Sequence, residues 1–167
     1  VRDKDAVSAC VILAEIAAWA KDQGLSLYQL LQKIYVEYGF SKEKGISVVK
    51  KGKSGAEEIE AMMKKFRENP LTEIAGSKVT YFYDYSTLKG KDYAENETVT
   101  LDMPTTSNVL QYFTEDNTKV SIRPSGTEPK IKFYCEVHSK VKSIDELPEA
   151  EKAAEEKINQ IKASLGI

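Results

Sequence analysis

Eight consecutive residues, Arg123-Pro124-Ser125-Gly126-Thr127-Glu128-Pro129-Lys130, hold the densest set of chemically useful groups in the chain. Arg123 offers a planar fork of N–H donors that matches a phosphate or a carboxylate. Ser125 and Thr127 add hydroxyl donors. Gly126 can take a positive φ and leaves its backbone N–H unobstructed. Pro124 and Pro129 stiffen both shoulders. Glu128 is placed to hold Arg123, and Lys130 adds positive charge. These types in this order suit an oxyanion. They also suit an ordinary Ser-Gly hairpin turn with its charges in solvent.

The elements around the loop must position it. Val120-Ser121-Ile122 precedes it, and the alternating run Ile131 to Val137 follows, so the loop is a stiffened turn between two strands. On the second strand Ile131, Phe133, Cys135 and Val137 share one face, and Lys132, Tyr134, Glu136 and His138 share the other. Asn108 to Phe113 and Lys119 to Arg123 read as a hairpin joined through Glu115-Asp116-Asn117. Val79 to Tyr85 alternates and is aromatic, which predicts a strand, and Val99 with Leu101 marks a short one. Residues 86–97 read as a polar loop. Helices are predicted from Ser54 to Pro70, where Ser54 and Glu57 have capping-box spacing, and from Pro148 to Leu165.

The N-terminal part is helical. Ala6 to Ala20 is apolar nearly all round, with Asp3 and Asp5 ahead of it and Gly24 after it. Such a helix expects cover on most sides, and its natural cover is expected from sequence outside this chain. Ser26 and Gln29 open a second helix that Gly39 ends, completing an α-hairpin. Residues 40–53 are polar and glycine-containing and read as a linker. The pattern predicts an α+β protein: an antiparallel sheet of about four strands, helices packed on one face, preceded by the α-hairpin.

Composition limits the function classes. Hydrophobic residues make up 41% and charged residues 30%, as in ordinary globular domains. A net charge of −2 gives no global basic field, which argues against nucleic acid as a partner and makes any anion site local. The longest apolar helix carries Glu15 and is too short to span a membrane. Cys10 and Cys135 lie in apolar runs and read as buried free thiols of a reducing, cytoplasmic setting.

The string 123–130 resembles the phosphate-binding loop in the last domain of the α-D-phosphohexomutases, the phosphoglucomutase and phosphomannomutase superfamily. The run Val1-Arg2-Asp3-Lys4-Asp5-Ala6-Val7 with its apolar helix resembles the end of that family's third domain. The resemblance implies a third-domain tail over 1–40 and a phosphate-binding domain four over 41–167. It implies a parent enzyme that interconverts hexose 1-phosphate and hexose 6-phosphate through a phosphoserine, Mg²⁺ and a bisphosphorylated sugar. Carried over, Arg123, Ser125, Gly126 and Thr127 grip the non-reacting phosphate, Lys130 and Lys132 add charge, and Lys4 and Arg2 are possible substrate contacts. The family often has Arg where Lys132 stands. The implied partners are a hexose phosphate and the remaining domains. No phosphoserine motif, aspartate-rich metal loop or sugar-selecting loop is found here, so this chain is expected to bind no metal or other cofactor itself, with Mg²⁺ held by the full enzyme, and to be inactive alone. A free-standing phosphosugar-binding module without chemistry is the alternative.

Overall fold

The computed structural model describes residues 4–50 and 52–167. The chain divides into two compact units: Val1–Phe40 with Ser139–Ala150, and Ser41–His138 with Glu151–Ile167.

In the first unit, α1 (Ala6–Asp22) is capped by Asp5, whose carboxylate accepts from the N–H groups of Val7 and Ser8. The α2 helix (Leu27–Tyr38) begins with the expected box: Gln29 N–H donates to Ser26 Oγ, and Ser26 N–H donates to Gln29 Oε1. Gly39, at φ 104°, ends it in a conformation that a β-carbon disfavours. Apolar side chains of both helices stay exposed in this unit, Val11 and Trp19 by more than half. Cys10 lies on that surface, so the expected burial of both thiols holds for Cys135 alone. Its apolar stripe runs all round, and a short helical unit covers only one side of it.

The second unit is a sheet with two helices on one face. Its strands are β1 (Phe40–Val49), β2 (Glu73–Ile74), β3 (Ser77–Asp84), β4 (Lys89–Asp92), β5 (Glu97–Thr100), β6 (Leu110–Thr114), β7 (Lys119–Pro124) and β8 (Lys130–Ser139). The order is β1-β8-β7-β6-β3-β4-β5, with β2 paired to β3, and every pair of described register is antiparallel. The sheet therefore has eight strands, not about four. Of the additional strands, β1 is an edge, where charged sequence is normal, β2 is a two-residue pairing on β3, and β4 is paired on both sides by β3 and β5. Residues 40–49, read as a linker, form β1 beside β8. Lys42 and Lys44 of β1 reach Glu151 and Glu155 of the last helix, α4 (Leu147–Leu165). Residues 89–92 and 97–100, placed largely in a polar loop, form a hairpin. Gly90 there is required: a β-carbon would fall 2.4 Å from the Tyr83 ring.

The core sits between the sheet and the two helices. Ile59, Met63 and Phe66 of α3 (Lys53–Glu68) and Ala154, Ile158, Ile161 and Leu165 of α4 are buried, as are Ile131, Phe133, Cys135 and Val137 of β8. The Phe66 and Phe133 rings meet edge-on at 6.1 Å. Buried Tyr112 donates to the Phe66 carbonyl at 3.0 Å, which fixes α3 over the sheet centre. The α3 helix starts two residues earlier than its sequence implies. Its N-cap is Gly52 without a side-chain cap bond, so the Ser54–Glu57 box does not form. Burial pushes the Cys135 thiol up to about 11, which leaves it an inert apolar filler.

The β6–β7 turn is tied to α4. Asn117 takes the left-handed conformation, φ 61°, that such a turn needs. Asp116 accepts from the Thr114 hydroxyl at 2.7 Å and from the Thr118 N–H at 3.2 Å, and pairs with Lys157. Partial burial would raise the Asp116 pKa, but the hydrogen bonds from Lys157, Thr114 and Thr118 outweigh it and hold the carboxyl well below its usual range. A depressed folded value means the contribution is whole above the unfolded pKa of about 3.9 and is lost as pH falls through the folded value. Solvent screening limits it to about 1 kcal/mol. The difference in unfolding free energy between the wild type and Asp116→Asn is therefore expected to shrink as pH falls from 7 through this acidic range. Urea titrations at several pH values would read this, and a pH-independent difference would refute it.

Candidate functional site

The loop between β7 and β8 closes on backbone bonds. Ser125 N–H donates to the Lys130 carbonyl at 2.8 Å, and Lys130 N–H donates to the Glu128 carbonyl at 2.7 Å. Lys50 N–H, at the end of β1, donates to the Pro129 carbonyl at 2.9 Å and tethers the loop to the neighbouring edge. Among the described residues, the N–H groups of Gly126, Thr127 and Glu128 have no partner. Three successive N–H groups without a protein partner are available to donate to a ligand. The Arg123 guanidinium and the Ser125 and Thr127 hydroxyls likewise make no hydrogen bond among the described residues.

Register sets the charges. Arg123 stands directly opposite Lys132 across the β7–β8 ladder. Like charges in that position repel, and an anion between them relieves the repulsion. Lys130 pairs with Glu128, and this contact, then the Lys132 charge, hold the Glu128 carboxyl below its usual range. Glu128 therefore holds Lys130, not Arg123 as its position in sequence implied. Gly126 differs from expectation as well. Its φ is not positive, and a β-carbon there would meet nothing within 4 Å. Open space beside the backbone, not a special dihedral, distinguishes it.

Arg123, Ser125 and Gly126 line a concavity of about 850 Å³ whose other wall is α3. Thr127, Lys130 and Lys132 are not part of that lining. Lys4 is exposed just ahead of the α1 cap, and Arg2 lies outside the described residues. On the α3 side the concavity is lined by Ile59, Met63 and Arg67, and between the walls by Ser107 and Asn108. Arg67, Ser107 and Asn108 carry no motif that sequence reasoning could single out, and only the fold brings them to the concavity that the loop lines. Among the described residues no three His, Cys, Asp or Glu side chains converge as metal ligands do. No described helix is long and apolar enough to cross a membrane.

The profile of the phosphoglucomutase/phosphomannomutase C-terminal domain matches residues 46–154, a span that contains α3, the whole loop and most of the sheet. The chain belongs to that family. Its relatives agree. A phosphoglucomutase of Staphylococcus haemolyticus (strain JCSC1435) is 36% identical over 138 residues, which is 83% of this chain and 25% of that protein. A phosphoglucomutase of Staphylococcus aureus (strain bovine RF122 / ET3-1) is 37% identical over 134 residues, 80% of this chain and 24% of that protein. The phosphohexomutase domain described here thus spans about a quarter of the length of these relatives. Among solved structures, the open form of pp63/parafusin, a phosphoglucomutase from Paramecium, is similar over 86% of this chain and 24% of its own, at 16% identity and a TM-score of 0.47.

Proposed function

We propose that this phosphohexomutase domain is the substrate-phosphate anchor of a longer enzyme that interconverts hexose 1-phosphate and hexose 6-phosphate. One observation carries the reading: three successive N–H groups, Gly126 to Glu128, and the nearby Arg123 guanidinium have no partner among the described residues, and Arg123 stands opposite Lys132. Arg123, Ser125, Gly126 and Thr127 grip the phosphate that is not reacting, and Lys130 and Lys132 add charge. Open space at Gly126 lets the anion reach the backbone. The grip is positional: it fixes one end of the sugar so that the other meets groups held by the rest of the enzyme. In this reading residues 1–40 are the tail of the preceding domain and 41–167 form the anchor. By the family resemblance, Lys4 and Arg2 are the candidate substrate contacts of that tail. The phosphoserine and its Mg²⁺ come from the other domains.

The test is a titration of the chain with glucose 6-phosphate, followed by the backbone amide signals of residues 123–130. Saturable shifts at Gly126 to Glu128 are expected, with weak affinity because the other cleft walls are absent. No response at millimolar ligand would overturn the reading. The same preparation is expected to convert no glucose 1-phosphate, and measurable turnover would contradict the assignment of the chemistry to other domains.

A further inference from the structure

The wall facing the phosphate loop is built from the core outward. Asp84, at the end of β3, is 5% exposed. It accepts from Arg67 Nε at 2.9 Å, and also from the N–H and hydroxyl of Ser86 at 3.0 and 2.7 Å. Arg67 Nη2 then donates to Asn108 Oδ1 at 2.9 Å. The backbone around Asn108 is held as well. Ser107 N–H donates to the Tyr85 carbonyl at 3.1 Å, and Tyr85 N–H donates to the Val109 carbonyl at 3.0 Å. An exposed asparagine is thus fixed by its neighbours' backbone and by an arginine that a buried carboxylate has already oriented. An exposed polar contact of this kind contributes little to stability, whereas fixed geometry is what recognition of a ligand needs.

The orientation has a chemical consequence. The Asn108 carbonyl oxygen is engaged by Arg67, so its amide N–H groups remain as donors, as do the remaining N–H groups of Arg67. Glu60 of α3 lines the same concavity and can accept. Donors together with a carboxylate suit hydroxyl groups, which both accept and donate, and Lys64 of α3 lines the concavity as a further donor. Ile59 and Met63 add apolar surface for C–H groups. Resting on the anchor reading of the loop, we propose that Asn108, positioned by Arg67 and Asp84, is a specificity-determining contact to the hydroxyl-bearing carbon skeleton attached to the anchored phosphate.

The experiment compares three ligands on the 167-residue chain: inorganic phosphate, ethyl phosphate and glucose 6-phosphate. Asn108→Ala is expected to weaken glucose 6-phosphate by roughly five-fold, the worth of one hydrogen bond, and to leave inorganic and ethyl phosphate unchanged. Arg67→Lys keeps the charge but not the fork, and is expected to produce the same selective loss. Thermal melts check that each variant is folded; Asn108 is exposed, so its melt should not move. Equal weakening of all three ligands would make Asn108 a support of the loop and overturn the proposal, and so would no change. If the wild type gives no loop response to any of the three, the anchor reading fails and takes this proposal with it, a result distinct from binding without selectivity.

Discussion

Arg123→Ala is expected to remove most of the loop's affinity for a phosphorylated sugar. A charge-assisted hydrogen bond contributes about 1.5–3 kcal/mol, so losing a two-pronged contact raises Kd by at least ~10-fold and up to several hundred-fold. Arg123→Lys should recover part of this, because a lysine restores the charge without the fork. Neither change should lower stability. Arg123 is exposed, makes no ion pair among the described residues, and faces Lys132. Removing one of two opposed cations is neutral or slightly favourable. Calorimetric or amide-shift titration with glucose 6-phosphate reads the affinity, and a denaturant melt reads the stability. Unchanged affinity in Arg123→Ala would eliminate the guanidinium as the principal donor. Lower stability with unchanged affinity would mean that the residue serves the fold.

The largest effect on stability is expected from Phe133→Ala. The ring is fully buried and packs against Phe66, and the strand that carries it leads directly out of the 123–130 loop. Truncation leaves a cavity between α3 and β8 and costs about 3–5 kcal/mol. A domain of this size has about 5–15 kcal/mol in total, so this one change removes a large share of it. Tyr134, the next residue, points to the opposite face and is 39% exposed. Tyr134→Ala should cost about 1 kcal/mol or less. Urea midpoints of the two variants provide the comparison. Similar losses would contradict the assignment of the two faces of β8.

The strongest elements were legible from their own residues. Buried Ile131, Phe133, Cys135 and Val137 alternate with the other face of β8, as their types imply. The Ser26–Gln29 box opens α2 because capping is a local bond between residues three apart. The family resemblance of the loop was legible for the same reason. Its donors lie within one short stretch, and the family profile spans it.

Other features depended on partners distant in sequence. The β1 strand is lysine-rich, and only its place beside β8 and under Glu151 and Glu155 makes it a strand. Ser54 had the spacing of a cap, yet α3 begins at Lys53 behind Gly52. Glu128 lies close to both Arg123 and Lys130 in sequence, and the backbone closure of the loop decides for Lys130.

The sequence by itself determined which donors 123–130 can offer, because hydrogen-bonding capacity belongs to residue type. Only the tertiary structure decided what stands opposite that loop. It carries Arg67 on α3, steadied by Asp84, to Asn108, and so gives the concavity beside that loop a second wall. Residues far apart in sequence meet there because the packing of α3 on the sheet brings them together, and no local pattern encodes that meeting.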